Sequence, residues 1–337
     1  MALIEFSDKG LFCPQGNFYI DPWKPVQKAV ITHAHSDHAR WGSQTYLCHH
    51  HTKPLLQLRL GDHNYQSAEW NEPVNINGVR VSLHPAGHVI GSSQVRVEYK
   101  GEVWVVSGDY KTENDGLSGA FEPVTCHTFI TESTFGLPIY NWQPQENIYK
   151  QIQEWIKRNQ QENIASVLIA YSLGKAQRVL QAVEKITKNI FVHGAIWNTQ
   201  EVLQKAGWNL PAIKRVTNET PKQELKNAVV IAPPSAADSS WLKKFSPYRL
   251  AICSGWMQVR GNNRRSNADA GFVLSDHADW KGLLSSIKAT DASTIFITHG
   301  FQSVLARYLT EQGFEAAEVK TEYGNDDDIE NASNETT

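Results

Sequence analysis

The feature that most constrains this chain is a group of metal-ligand residues placed directly after a short apolar run. Residues Ala29–Thr32 predict a buried strand, and the loop that leaves it carries His33, His35, Asp37 and His38. Because side chains alternate along an extended segment, the first two histidines can point to the same side, while the next two residues can reach a second ion. Imidazoles and carboxylates together suit zinc or a similar divalent ion. The sequence therefore predicts a metal site where this strand ends.

Three later segments offer further ligands of the same kind. His88 lies in the sequence PAGH, Asp109 in SGD and His299 in THG. Each adjoins a strand-like apolar run, and rigid scaffolds place functional groups at such positions. A lone histidine after a strand is more often structural, but this many ligand-type positions in one chain indicate a common centre. The carboxylate of Asp109 could bridge two ions.

Length and composition limit the classes of protein to consider. At 337 residues, the chain is long enough for two domains of ordinary size. It contains no apolar run of about 18 residues that would suit a membrane span, and its N-terminal sequence lacks the basic and apolar regions of a secretory leader. Its cysteines, Cys13, Cys48, Cys126 and Cys253, form no Cys-x-x-Cys pair. We therefore expect a cytoplasmic protein with reduced thiols, rather than a disulfide framework or a zinc knuckle.

The net charge of −3 conceals an asymmetry along the chain. Residues 141–265 hold 18 Lys and Arg but only 8 Asp and Glu, whereas the flanking segments are acidic. A basic module of this kind suits a polyanionic partner such as nucleic acid. Chance clustering on solvated helices is the alternative.

Secondary-structure patterns divide the chain at similar positions. Short strands with turns come first, including a hairpin signal at Asn77-Gly78. Strands and helices then alternate, which is typical of a parallel sheet flanked by helices, until strands resume after Arg265. The predicted helices are 144–158, 174–188, 198–206, 235–245, 280–289 and 303–311. The predicted domains are 1–140 joined with 266–324, an inserted domain at 141–265, and a disordered acidic tail at 325–337.

In their order along the chain, the ligand motifs resemble those of hydrolases with the metallo-β-lactamase fold. The matching elements are H-x-H-x-D-H at 33–38, the later G-H and G-D pairs and the final T-H-G. The resemblance implies two divalent ions, zinc or alternatively manganese, with Asp109 bridging them and Asp21 orienting a ligand imidazole. It assigns one ion to His33, His35 and His88. It assigns the other ion to Asp37, His38 and His299.

Further motifs resemble a subfamily, the β-CASP nucleases. Glu132 in TESTF, His277 in SDHAD and His299 in THG match three motifs of that group, in which a second domain is inserted between the first two. The resemblance implies an α+β fold with an α/β insertion: a metallo-β-lactamase αββα sandwich with an inserted β-CASP parallel-sheet domain. Residues 172–180 and 254–261 resemble the compact bacterial branch called ligase-associated DNA exonucleases, which is also labelled as an mRNA 3′-end processing factor.

The same resemblance implies hydrolysis of phosphodiester bonds. The ions would bind phosphate oxygens and supply hydroxide, with Asp37 and Asp109 taking part as ligands. We expect His277, held by Glu132, to protonate the leaving oxygen as a general acid. The alternative for His277 is a further metal ligand.

Loops after the strands of the inserted sheet are the expected substrate site, because ligands of open parallel sheets bind beyond the carboxyl ends of the strands. A helix beginning at Gly174 could direct backbone N–H groups toward a phosphate. Trp256 and Tyr171 could stack on bases or belong to the core, and Arg264 and Arg265 could instead lie on a solvated loop. The residues predicted to contact substrate are Ser172, Gly174, Lys175, Arg178, Ser235, Ser254, Trp256, Arg260, Arg264 and Arg265.

These observations favour a DNA exonuclease that acts in DNA repair on single-stranded or frayed ends, associated with a DNA ligase or helicase and without a membrane. An RNA 3′-end processing nuclease is the first alternative, because a histidine at the position of His299 is common among RNA enzymes of the wider group. The basic insertion and the Glu132 and His277 motifs count against a thioester or lactam hydrolase. A complete ligand set counts against a binding subunit with an inert site.

Three consecutive histidines, His49, His50 and His51, are interpreted as surface or loop residues. The reason is that three consecutive side chains are not expected to face one ion.

Overall fold

The computed structural model describes residues 2–259 and 267–323, which form two compact units. One unit combines the described residues up to Asn141 with those from His277 onward, and the other comprises the described residues of Trp142–Asp276. The predicted tail at 325–337 lies outside the described residues. The same is true of three predicted substrate contacts, Arg260, Arg264 and Arg265.

The first unit contains a six-stranded sheet whose strands are neighbours in chain order. Its strands are β1 (Glu5–Phe6), β2 (Leu11–Cys13), β3 (Phe18–Ile20), β4 (Lys28–Val30), β5 (Thr45–His49) and β6 (Asn64–Ala68). β1, β2 and β3 pair antiparallel, and β3 to β6 pair parallel. Parallel neighbours need a crossover, and helix α1 (Lys53–Leu60) provides the one between β5 and β6.

A second, seven-stranded sheet in this unit has the order β19-β18-β11-β10-β9-β8-β7. Its strands are β7 (Val74–Ile76), β8 (Val79–Pro85), β9 (Ser93–Tyr99), β10 (Glu102–Val106), β11 (Thr128–Ser133), β18 (Thr294–Gly300) and β19 (Glu315–Glu318). β7 to β10 pair antiparallel, whereas β10, β11, β18 and β19 pair parallel. Asn77 and Gly78, with φ of 51° and 85°, join β7 to β8, so the predicted hairpin is confirmed.

The two sheets of this unit pack face to face through a common core. Phe18 of the first sheet and Val97 of the second belong to one buried apolar cluster. A separate buried cluster joins the second sheet to helices α6 (Trp280–Ala289) and α7 (Gln302–Glu311), as at Ile287. Each fully buried aliphatic or aromatic side chain contributes roughly 1.5–3 kcal/mol of transfer free energy. This packing fixes the strand ends on which the polar residues lie.

The second unit is built on a six-stranded sheet with the order β14-β13-β15-β12-β16-β17. Its strands are β12 (Ala165–Ile169), β13 (Ile190–Val192), β14 (Lys214–Arg215), β15 (Val229–Ala232), β16 (Tyr248–Cys253) and β17 (Ala270–Phe272). All its pairs are parallel, so the predicted parallel sheet is confirmed. Alternate residues of β12 belong to two different apolar clusters, as Leu168 and Val167 show, because both faces of the sheet are covered. The helices are α2 (Gln145–Gln161), α3 (Lys175–Val183), α4 (Gly194–Lys205) and α5 (Lys222–Leu225).

Some predicted helices have different bounds in the structure. α3 ends at Val183 rather than Lys188. α4 begins at Gly194 rather than Asn198, because the His193 side chain accepts a hydrogen bond from the backbone N–H of Ala195 and caps the helix. The predicted helix at 235–245 consists of two 3₁₀ segments, Pro234–Ala236 and Ser240–Phe245.

In broad terms, the described residues form a mixed α and β fold with several sheets, as predicted. No helix in the described part of the chain is both long enough and apolar enough to cross a membrane.

Candidate metal centre

Parallel pairing in the second sheet brings several polar residues to one edge. β10, β11 and β18 run in the same direction, so their carboxyl ends lie side by side. Asp109 follows β10, Glu132 lies at the end of β11 and His299 at the end of β18. The loop after β4 in the first sheet contributes the histidine-rich segment, and its residues contact Asp109. The ligand motifs therefore converge on Asp109.

A first group of ligands surrounds one carboxylate oxygen of Asp109. One ligand atom each of His33, His35, His88 and Asp109 lies within 4.8 Å of all the others. Asp109 Oδ2 is 3.4 Å from His33 Nε2 and 3.8 Å from His88 Nε2. His88 Nε2 is 3.1 Å from His35 Nδ1. Two imidazoles thus lie near this oxygen, and His35 joins the group through its contact with His88.

A second group surrounds the other oxygen of the same carboxylate. Asp109 Oδ1 is 3.4 Å from His38 Nε2 and 3.1 Å from His299 Nε2. These three residues also offer ligand atoms within 4.8 Å of one another. Asp37 Oδ2 lies 3.4 Å from His38 Nε2, at the margin of the group. Each oxygen of Asp109 therefore belongs to its own ligand group, which is the arrangement a bridging carboxylate needs.

Asp21 and Thr32 orient the histidines of the first loop. Asp21 Oδ2 is 2.8 Å from His38 Nδ1, so the Nε2 atom of that ring faces Asp109. The Asp21 carboxylate also accepts hydrogen bonds from the backbone N–H and the hydroxyl of Thr32, at 2.8 and 2.5 Å. Thr32 Oγ1 is in turn 3.0 Å from His33 Nδ1. Partners of this kind fix the ring orientation and tautomer of metal-binding histidines.

Two glycines next to ligand residues permit close approaches of the backbone. Gly108 has φ of 57°, and a Cβ there would come within 2.7 Å of Thr32 side-chain atoms. Gly300 has φ of 87°, and a Cβ there would come within 2.2 Å of the Ser133 carbonyl oxygen. Side chains other than hydrogen are strained at such φ values. The glycines of the SGD and THG motifs are therefore required for the positions of the neighbouring ligands.

Burial and neighbouring charges set the protonation of the ligands. Burial lowers the pKa of His33 well below its usual value. Burial also acts to lower the pKa of His38, but Asp109 and Asp37 outweigh it and raise that pKa well above its usual value. Burial acts to raise the pKa of Asp109, but His38 and His299 lower it further, so the net pKa lies well below the usual value. The neighbouring imidazoles consequently favour the anionic form of Asp109.

The pair formed by Glu132 and His277 adjoins this centre. Both oxygens of Glu132 lie near His277 Nδ1, at 2.9 and 3.1 Å, and both side chains are buried. The backbone N–H of Tyr110 donates to Glu132 Oε1 at 2.7 Å, which holds the carboxylate in place. Asp109, Glu132 and His277 offer ligand-type atoms within 4.8 Å of one another. The structure therefore brings the two residues together as the sequence analysis expected.

Several buried atoms of the centre lack a hydrogen bond within the described residues. They are His33 Nε2, Asp37 Oδ1, His38 Nε2 and Asp109 Oδ1. Buried polar atoms in native proteins are nearly always hydrogen-bonded, and an unsatisfied one costs roughly 1–3 kcal/mol. Imidazole nitrogens and carboxylate oxygens are ligands of zinc and related ions. The donor set therefore fits divalent metal.

Sequence reasoning missed one aromatic residue of this centre. The ring of Tyr323 stacks on His38, with centroids 4.5 Å apart and planes 10° from parallel. Burial, together with Asp21, Asp37 and Asp109, raises the pKa of Tyr323 well above its usual value. Its sequence neighbourhood is polar and has no strand or helix pattern that would have identified it. Thr32 could have been found, since it directly precedes the first histidine.

Two predicted substrate contacts on α3 are engaged inside the second unit. Lys175 is 1% exposed, and its Nζ lies 3.1 Å from Asp276 Oδ1 and 4.0 Å from the Tyr171 ring centre. Arg178 is 0% exposed, and its Nη1 donates to the Ser275 carbonyl at 2.7 Å. A buried charge requires a partner in the protein. The expectation that these two charges face a substrate phosphate is corrected accordingly.

The start of α3 is also satisfied internally. The backbone N–H of Gly174 donates to Gln177 Oε1 at 2.8 Å, and Gln177 Nε2 donates to the Ser172 carbonyl at 3.1 Å. A capping side chain thus uses the N–H group that was expected to face a phosphate. By contrast, Ser235 and Ser254 are partly exposed, and so is Trp256, whose backbone N–H donates to Ser254 Oγ at 3.3 Å.

Comparison with known proteins identifies relatives of this chain, although no family model matches it. A protein named probable DNA ligase from Opitutus terrae is 30% identical over 319 residues, which cover 93% of this chain and 30% of that protein. The RNase J-like protein of Methanocaldococcus jannaschii is 22% identical over 272 residues, which cover 70% of this chain and 62% of that protein. The chain therefore spans less than two thirds of the length of either relative.

A solved structure shares the fold. It is that of a protein of unknown function from Enterococcus faecalis, with a TM-score of 0.60 and 12% identity over 88% of this chain and 80% of that one. The relatives and the two ligand groups together imply that the chain binds divalent metal. These relatives point to the β-CASP nucleases of the metallo-β-lactamase group, which the ligand motifs of this chain resemble.

Proposed function

We propose that this protein is a two-metal phosphodiesterase that shortens nucleic acids from their ends, and that DNA is its substrate. The observation that carries the proposal is the shared carboxylate of Asp109, whose two oxygens face separate groups of imidazoles. Two ions that act on one scissile bond lie roughly 3.5–4 Å apart, and a carboxylate with one oxygen for each ion can span that separation. The relative named as a probable DNA ligase favours DNA.

The finer fold assignment is part of the same proposal. The face-to-face sheets of the first unit would be the metallo-β-lactamase sandwich, made from residues 1–140 and 266–324. The parallel sheet of the second unit would be the inserted β-CASP domain, residues 141–265. Support comes from the division of the chain near residues 141 and 276 and from the parallel order of the second unit's sheet.

In this proposal, the ligand groups hold zinc, with manganese as the alternative. His33, His35 and His88 would hold one ion, and Asp37, His38 and His299 the other. When bound, the ions would neutralise phosphate charge and lower the pKa of an attacking water. Asp21 and Thr32 would keep the ligand rings oriented so that no reorganisation is needed during the reaction.

His277 would deliver the proton that the leaving oxygen requires. Its Nδ1 is held by Glu132 at 2.9 Å, so Nε2 is the nitrogen that would exchange a proton with substrate. A general acid typically contributes about 10²–10⁴-fold to the rate. Tyr110 would act indirectly, since its backbone N–H holds the Glu132 carboxylate.

Only some of the predicted substrate contacts in the second unit are exposed enough to meet a substrate. Ser235, Ser254 and Trp256 are partly exposed and could contact a sugar, phosphate or base. The buried free thiols support a reducing compartment such as the cytoplasm. Association with a DNA ligase or helicase follows from the same proposal.

The test is a digestion of end-labelled oligonucleotides by the purified protein. Single-stranded, blunt and overhanging DNA and matched RNA are incubated with zinc, manganese or magnesium. We expect a ladder of shortened DNA products that Asp109→Asn abolishes. A fully metal-loaded preparation that shortens none of these substrates would contradict the proposal.

RNA is the second candidate substrate, because the RNase J-like relative covers 70% of this chain. The same assay decides between the two. Faster shortening of RNA than of matched DNA under every metal condition would replace the DNA assignment.

A further inference from the structure

Three consecutive histidines form a separate cluster at the turn between β5 and α1. His49 is 0% exposed, and His50 and His51 are partly buried. One ring nitrogen of each residue lies within 4.8 Å of the other two. The ring centres are 4.2 Å apart for His49 and His50, 4.8 Å for His49 and His51, and 3.8 Å for His50 and His51. The cluster shares no residue with the candidate metal centre.

The expectation that these side chains could not converge is wrong because it assumed an extended backbone. The backbone N–H of Thr52 donates to the His49 carbonyl at 2.9 Å, which closes a turn. The Thr52 hydroxyl donates to the Gly91 carbonyl at 2.7 Å and anchors the turn. In a turn, consecutive side chains no longer alternate between two sides, so three rings can share one space.

The buried member of the cluster has an unsatisfied nitrogen. His49 Nε2 is buried and makes no hydrogen bond within the described residues. The ring is fixed by stacking on Trp70, with centroids 4.1 Å apart and planes 8° from parallel. Burial and the stacked ring of Trp70 therefore hold this imidazole in one orientation.

A carboxylate supports the cluster from the neighbouring strand. Glu69, which follows β6, places Oε2 3.0 Å from His50 Nδ1. This contact is an ion-pair distance rather than a hydrogen bond. A carboxylate beside one nitrogen of an imidazole favours the proton on that nitrogen, which leaves the other nitrogen for a metal. The cluster thus combines three imidazoles with the kind of partner that zinc-binding histidines usually have.

We propose that His49, His50 and His51 bind a transition-metal ion at a site distinct from the candidate metal centre, with zinc as the ion that it takes. Three imidazoles leave one position of a tetrahedral ion for water. The ion would hold the turn after β5 against the end of β6 through His50 and Glu69. This site does not depend on phosphodiesterase activity, so either proposal can fail without the other.

The test compares zinc content per full-length chain after dialysis against buffered zinc. The double variant His50→Gln and His51→Gln keeps the buried ring of His49 and should fold. We expect it to hold about one zinc ion per chain fewer than the unaltered protein, and to lose part of the rise in melting temperature that zinc produces. Its DNA-shortening activity should be unchanged.

Two further variants make the result specific. His63→Gln removes a partly buried histidine that stands near Trp41, Tyr46 and Tyr65 but belongs to no ligand group among the described residues. It should keep the full zinc content. Glu69→Gln should weaken zinc binding by about 10–100-fold while leaving the stoichiometry at saturation unchanged. The proposal is overturned if the double variant holds as much zinc as the unaltered protein, or if His63→Gln loses as much as the double variant.

Discussion

Two regions of this molecule concentrate charged and polar side chains, and they use them in opposite ways. At the candidate metal centre, the imidazoles of His33 and His38 and the carboxylate of Asp109 face one another with atoms that have no hydrogen bond within the described residues. Around α3 in the second unit, Lys175 pairs with Asp276, and Arg178 binds the Ser275 carbonyl. The first arrangement suits an external ligand, whereas in the second each buried cation has a partner within the protein.

The difference shows that charge in a sequence does not distinguish a binding group from a structural one. Lys175 and Arg178 looked like phosphate contacts because they lie at the start of a helix in a basic segment. Their burial, at 1% and 0% exposure, requires internal partners instead. The partner that each charged group has, rather than the amount of charge in the segment, therefore separates the two regions. The following predictions test this contrast, in order of decreasing expected effect.

Asp109→Asn should have the largest effect. Both ligand groups use this carboxylate, so its loss should reduce the cleavage rate by at least about 10³-fold. A residue that only supports a ligand typically contributes about 10–100-fold, which is less. Binding of a labelled oligonucleotide should persist. The exposed carboxylate variant Asp62→Asn is the control and should cleave normally. Retained cleavage in Asp109→Asn would remove the basis for calling this region a ligand centre.

His277→Gln should reduce cleavage by about 10²–10⁴-fold while leaving zinc content unchanged. The loss should be smaller on a nitrophenyl phosphodiester, because nitrophenolate leaves without a proton. Rate constants on both substrates and zinc per chain are the measurements. A fall in zinc content would instead make His277 a metal ligand.

Lys175→Met should lower the free energy of unfolding of the second unit by about 3–5 kcal/mol, because it leaves the Asp276 carboxylate buried without its cation. Urea denaturation measures the change. Adding Asp276→Asn should recover part of the loss. If Lys175→Met folds as stably as the unaltered protein but binds oligonucleotide less tightly, the internal role assigned to Lys175 is wrong.

Asp21→Asn should weaken metal binding by about 10–100-fold without changing the number of ions at saturation. The amide keeps the shape of the side chain but not the charge that holds His38 Nδ1 at 2.8 Å. Metal titration with a chromophoric chelator measures the affinity. An unchanged affinity would show that the Asp21 contact only supports the loop.

Lys185→Met should have the smallest effect. Lys185 Nζ is 3.8 Å from Glu146 Oε1, and the two side chains are 53% and 68% exposed. Exposed pairs contribute about 0–1 kcal/mol, and salt screens them. The same urea experiment compares this lysine with Lys175. An equal loss of unfolding free energy in the Lys175 and Lys185 variants would show that burial of the charge makes no difference to its contribution.

Much of the metal centre could be predicted because its ligands belong to short motifs next to strands. The helix at Trp280–Ala289 was predictable for a similar local reason, since Asp279 caps it by accepting from the Gly282 N–H at 2.7 Å. Local sequence did not reveal where α4 begins, because its cap is His193, a residue type outside the usual capping set. It did not reveal Tyr323 either, because its contact with His38 is made between residues far apart in the chain.

The pairing of β18 with β11 has a consequence for how the protein is made. His299 lies on β18 and Asp109 before β11, and Trp142–Asp276 fold as a separate unit between them in the chain. During translation, six of the seven predicted ligand positions, all except His299, are made well before β18. Contacts between such distant segments form slowly. Completion of the ligand group that includes His299 is therefore a late event in biogenesis, and a nascent chain stalled before β18 carries an open sheet edge where its neighbour should be.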